Sequence, residues 1–107
     1  MRKGGVSAVR RTLSVSSSVV MTKDQVSSDL GGEVAILHLK SGTYYGMDVV
    51  GARIWSLLQE PRTVKEIRDV LVSEYKVDPG RCESDLIALL QGLADEELIE
   101  VKDGTFS

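Results

Sequence analysis

The sequence predicts an α+β domain in which a small antiparallel sheet precedes three helices. Three observations carry that prediction. Glu33–Leu39 and Thr43–Met47 are β-rich runs separated by Ser41-Gly42, a hairpin signal because glycine enters positive φ without steric cost. At Asp48 the apolar pattern changes from strand period to helical spacing. Two further helix starts, Thr63-Val64-Lys65-Glu66 and Asp78-Pro79, then follow at short intervals.

A chain of 107 residues with 42% hydrophobic content suits one domain with its own core. Residues 1–14 are small, polar and basic (Arg2, Lys3, Arg10, Arg11) and read as a flexible arm, leaving a domain over 15–103 and a tail at 104–107. Val19-Val20-Met21-Thr22 is the first strand, and Asp29-Leu30-Gly31-Gly32 a turn. Glu33–Leu39 is the second, apolar on both faces and therefore central, and Thr43–Met47 is the third. Asp48 is placed to cap the first helix, where Val50, Ile54, Leu57 and Leu58 form a core-facing stripe widened by Trp55. Glu60-Pro61-Arg62 ends it. Thr63 and Glu66 form a capping box for the second helix, whose apolar side is Val64, Ile67, Val70, Leu71 and Tyr75. Asp78-Pro79 opens the third, with Cys82, Leu86, Leu89 and Leu93 as its buried line, and Leu98–Val101 closes the domain in extended form. This order predicts a winged helix-turn-helix with a three-stranded antiparallel sheet followed by three helices.

Composition excludes several functions. One histidine and one cysteine, His38 and Cys82, do not supply a zinc site of the usual kind, and both fall on apolar lines that give them structural roles. Gly31-Gly32 lacks the spacing and lysine of a phosphate loop, and Asp95-Glu96-Glu97 reads as a solvated helix end. Neither a cofactor nor a catalytic group is expected. No apolar run reaches the length of a membrane span, and no apolar segment follows the basic N-terminus as in a secretory signal, so cytoplasm is the expected location. Residues 1–23 carry +5 and the remainder −8, and the third helix sets Arg81 and Gln91 against Glu83, Asp85, Asp95, Glu96 and Glu97. That balance argues against a winged-helix regulator reading DNA, and suits a basic peptide better.

The third strand is the candidate site. It runs directly into a helix, so little chain remains to cover its outer edge, and an uncovered edge pairs readily with another chain. Backbone groups of Thr43, Tyr44, Tyr45, Gly46 and Met47 would supply affinity, with Tyr44 and Tyr45 on opposite faces and so in different roles. On the third helix, Asp85, Ala88 and Gly92, on one flank of the Cys82–Leu93 line, and Leu89 of that line are candidate contacts, with Ile87 and Leu90 the alternative on the other flank.

Glu33–Leu37, Gly42-Thr43-Tyr44-Tyr45-Gly46-Met47 and Gly51–Leu58, in that order, resemble the PqqD-like family of recognition elements for ribosomally made, modified peptides. Arg62-Thr63-Val64, Tyr75-Lys76-Val77-Asp78, Cys82-Glu83-Ser84-Asp85, Leu89-Leu90 and Leu98-Ile99-Glu100 extend the resemblance over roughly residues 18–101, with Met47-Asp48 where the family more often has Leu-Asn. The resemblance implies a non-catalytic chaperone that binds the leader segment of a precursor peptide as an added strand between the third strand and the third helix. It implies presentation to the leader protease and macrocyclase of a lasso-peptide pathway or, alternatively, to a radical SAM enzyme.

Overall fold

The computed structural model describes residues 13–103. Its elements in order are β1 (Ser17–Met21), β2 (Gln25–Asp29), β3 (Val34–His38), β4 (Tyr44–Met47), α1 (Val49–Leu57), β5 (Arg62–Thr63), α2 (Val64–Tyr75), α3 (Pro79–Asp95) and β6 (Ile99–Asp103). The α+β class and the sheet-then-helices order hold. The sheet's membership differs from expectation. β2, β3 and β4 form one antiparallel sheet in that order, and β1 joins a second, with order β5-β1-β6. β1 pairs with β6 from Ser17↔Asp103 to Met21↔Ile99, so the closing segment is a strand that ties the two ends of the domain together.

β2 escapes sequence reading because Val26 is its one apolar residue and four of its five positions are exposed. It exists by pairing with β3, from Gln25↔His38 to Asp29↔Val34. Between them Gly31 and Gly32 adopt φ of +78° and +102°, and the Asp29 carboxylate accepts both of their N–H groups at 3.0 and 3.2 Å. The β3–β4 connection runs through Leu39–Gly42 and closes when the Gly42 N–H reaches the His38 carbonyl at 2.8 Å, with Gly42 at φ +71°. His38 is buried, and its Nδ1 accepts the Ser41 N–H at 3.3 Å, so the histidine holds this turn.

The three helices begin where the caps demand. Asp48 Oδ1 accepts the Gly51 N–H at 2.9 Å, and Asp78 Oδ2 the Arg81 N–H at 2.9 Å. Thr63 and Glu66 exchange both bonds of the capping box, at 3.1 and 2.9 Å. α1 packs on β3 and β4, α2 on α3 and β1, and α3 also on β6. Val19, Ile36, Leu58, Val64, Ile67, Leu90 and Leu98 lie wholly inside, where the two sheets and the helices meet.

Three expectations about burial change. Of the stretch 1–14 read as an arm, residues 1–12 lie outside the described residues, as does the tail at 104–107. Leu13 is in the core and the Ser14 carbonyl accepts the Ser17 N–H at 3.0 Å, so packing begins ahead of residue 15. Val50 of the α1 stripe is 42% exposed, because it precedes the turn where α1 meets the core. Cys82 and Leu89 are half-buried, and Leu90 takes the central place on α3. No described helix is long and apolar enough to cross a membrane.

Thr63→Ala removes one half of the capping box and is expected to lower stability by about 1 kcal/mol. Urea unfolding followed by circular dichroism measures it, and an unchanged midpoint would deny the cap its role.

Candidate functional site

β4 is the outer strand of its sheet, and no described strand pairs with its far side. The ladder settles which of its backbone groups are open. The His38 N–H donates to the Thr43 carbonyl at 2.9 Å, making 38/43 a hydrogen-bonded pair. Such pairs alternate, so with the register Ile36↔Tyr45 and Val34↔Met47, Tyr45 and Met47 turn their N–H and C=O groups to β3. Tyr44 and Gly46 turn theirs outward. These are the groups that an added strand would meet.

Beside this edge lies a cleft of about 620 Å³. β4 contributes Gly46 and Met47, α1 contributes Val50, Gly51 and Ile54, and α2 ends at the cleft with Leu71 and Tyr75. Val77 and Asp78 follow, and α3 supplies Arg81, Cys82, Asp85, Leu86 and Leu89. The walls are mainly apolar. Asp48 and Asp78 are occupied in capping, and Arg81 and Asp85 sit 3.8 Å apart on the rim, both well exposed. Burial pushes the Cys82 thiol above the ordinary cysteine range, so it stands in the wall as a neutral group.

Two ion pairs hold the walls in place. Arg53 of α1 grips both carboxylate oxygens of Glu74 on α2, at 2.9 and 2.7 Å. Arg68 of α2 reaches Glu83 of α3 at 2.7 Å. Gly51 sits so tightly beneath β4 that a Cβ there would lie 3.1 Å from the Met47 Cβ. The strand can therefore enter the helix with no linker.

The structure brings Gly46, Met47, Asp85 and Leu89 of the candidate residues together at the cleft. Thr43 and Tyr45 line a second, polar recess of about 350 Å³ with His38, Lys40, Ser41 and the end of α3. There the Tyr45 hydroxyl donates to Glu96 Oε1 at 2.7 Å, which fastens β4 to α3. This bond, more than burial, raises the Tyr45 hydroxyl above the ordinary tyrosine value. Tyr44 points the other way and is 72% exposed. Ala88 and Gly92 are exposed and line neither recess, and Leu90, offered as a pocket residue on the alternative flank, is fully buried in the core. Sequence reasoning missed Val50, Tyr75, Val77 and Arg81 as cleft residues. The available signal was apolar residues crowding the capping positions, where a helix end leaves the core. Among the described residues no group of His, Cys, Asp and Glu is arranged to hold a metal.

The family model described as Coenzyme PQQ synthesis protein D (PqqD) matches residues 33–99, which contain β3, β4 and all three helices. No curated protein matches the chain. Among solved structures, TbiB1 in complex with the TbiA(beta) leader peptide is 46% identical, with a TM-score of 0.72, over 76% of this chain and 94% of that one. A lasso peptide synthetase B1 complexed with its leader peptide is 21% identical, with a TM-score of 0.69, over 77% and 96% of the two chains. The PqqD truncation of Methylobacterium extorquens PqqCD, a stand-alone recognition element, is 21% identical, with a TM-score of 0.69, over 82% and 94%. At 21% identity these last two share the fold.

Two measurements check this geometry. Leu90→Ala is expected to cost about 2–5 kcal/mol of unfolding free energy, and Leu89→Ala about 1 kcal/mol or less, by urea denaturation. Equal losses would contradict their different burial. In an ultraviolet titration Tyr45 should ionise above the ordinary value, and Tyr45→Phe should remove that step. Because the folded value is raised, the contribution of this bond is full below the ordinary tyrosine pKa of about 10 and is lost as pH rises through the folded one.

Proposed function

This chain belongs to the PqqD family, and we propose that it captures the leader segment of a precursor peptide as an added strand on the open edge of β4. The observation that carries the reading is the coincidence of that edge, with Tyr44 and Gly46 turned outward, and an apolar cleft walled by α3. Backbone bonds supply affinity that depends little on peptide sequence, and alternate peptide side chains enter the cleft to supply selection. The 46% identity to TbiB1, itself solved with a leader peptide, supports a leader segment as the ligand; a lasso-peptide precursor is the reading we adopt, and one serving a radical SAM enzyme is the alternative.

In this reading the domain does no chemistry of its own. It raises the local concentration of the tethered core peptide for a leader protease and a macrocyclase, working in the cytoplasm. Glu83, Asp85 and Asp95 outnumber Arg81, the one basic residue of α3, and that balance makes a nucleic acid an unsuitable partner.

The test is fluorescence anisotropy with a labelled TbiA(beta) leader peptide as the probe. Wild-type protein is expected to bind at micromolar concentration or below. Gly46→Pro removes an outward N–H and leaves the β3–β4 ladder intact, and should weaken binding about tenfold or more while the circular dichroism is unchanged. A Gly46→Pro protein that binds as tightly as wild type would reject strand addition at this edge.

A further inference from the structure

A strand added to β4 has two faces, and only one of them meets the cleft. Successive side chains of a strand point to opposite sides of the sheet. On the inner side of β4 are Tyr45 and Met47, packed against the core. On the outer side are Tyr44 and Gly46. The register carries that outer side across the sheet in two rows. Val26↔Leu37 and Leu37↔Tyr44 make one, and Ser28↔Ala35 and Ala35↔Gly46 the other.

The rows differ in kind. The first is an apolar ridge, with Val26 54% exposed, Leu37 half-buried between its neighbours, and Tyr44 72% exposed. The second consists of small residues, and a Cβ built on Gly46 would have no neighbour within 4 Å. Ridge and trough both run out to the open edge, where no described residue stands as a cross-strand partner on the far side of the Tyr44 ring. In an antiparallel addition, the more stable geometry, the peptide residues opposite Tyr44 and Gly46 are two apart and both project onto this outer side.

Resting on the peptide reading above, we propose that the peptide is also selected on this outer face, through an apolar side chain, aromatic or β-branched, on the residue paired with Tyr44. That residue extends the row Val26–Leu37–Tyr44 by one member and covers the exposed ring. Directly opposed side chains of an antiparallel pair lie about 4.5–5.5 Å apart at Cβ, and aromatic with β-branched or aromatic neighbours are the favourable combinations. The trough at Gly46 leaves room for the same side chain, or the next outward one, to lie flat across the sheet. The peptide is therefore read at neighbouring positions by different surfaces. Residues of one parity enter the cleft, and residues of the other parity meet Tyr44.

The test takes the labelled TbiA(beta) leader, replaces each of its residues in turn by alanine, and titrates every peptide against wild type, Tyr44→Ser and Leu89→Ala. Tyr44→Ser should weaken the parent leader about three- to tenfold, and Tyr44→Phe, which keeps the ring, should recover that loss. One leader position should lose its alanine effect in the Tyr44→Ser background. It should stand an odd number of residues from the position that loses its effect in Leu89→Ala. Tyr44→Ser protein that binds every peptide as wild type does, while Gly46→Pro has lost binding, overturns the outer-face subsite and leaves strand addition standing. An even spacing between the two coupled positions overturns it as well. A wild-type protein that leaves the leader unbound overturns the peptide reading itself, and the subsite with it.

Discussion

The architecture depends on a junction of one residue. β4 ends at Met47, Asp48 caps, and α1 begins at Val49. Asp48 satisfies the Gly51 N–H at 2.9 Å, and Gly51 lets the first turn slide under Met47. A longer connection would have chain to spare for covering β4, as connections usually do at sheet edges. With no such chain, no described residue pairs with the strand's outward backbone groups, and the helix departs to become a wall of the neighbouring cleft. The unpaired edge and the apolar recess share this single cause.

Around that junction the elements are tied to one another by side-chain bonds. Arg53 to Glu74 and Arg68 to Glu83 join the three helices, while Tyr45 to Glu96 joins β4 to the far end of α3. Exposed ion pairs of this sort contribute little to stability singly. Their geometric effect is to fix the helices that form the cleft's walls relative to one another without lining the cleft themselves. A recess that is preformed does not have to be ordered when a ligand arrives, and that saves part of the entropy that binding ordinarily costs.

What could be read from the sequence follows the range of the interaction concerned. The three caps, the turn glycines and the hairpin are set within a few residues, and Asp48, Thr63 with Glu66, Asp78 with Pro79, and Gly42 all serve as their types imply. The division into two sheets was not legible. β1 finds β6 across almost the whole chain, and local pattern carries no record of that choice. β2 was invisible because a strand exposed on both sides has no apolar alternation to betray it. At the candidate site the open edge was legible from the strand-to-helix junction. The cleft was only partly so. Leu89 and Leu90 are adjacent on one apolar arc of α3, and periodicity does not separate the inner from the rim position. Val50 and Tyr75 have core-like phase, and only the three-dimensional arrangement shows that the core stops short of them.

The opposite margin of the same sheet completes the design. By the alternation that opens Tyr44 and Gly46, the 3.0 Å bond from the Leu39 N–H to the Asp24 carbonyl turns the backbone of Gln25, Ser27 and Asp29 outward along β2. A sheet with two receptive margins is a monomer for open-ended polymerisation, since the β4 of one copy could take the β2 of the next indefinitely. Here the second margin is hydroxylated and charged, with the Asp29 carboxylate locked onto the turn that follows and Lys40 paired to Asp24 at 3.4 Å beside its start. The asymmetry gives the sheet one valence instead of two. Polar and charged side chains of this kind along one margin work against edge-to-edge stacking of copies.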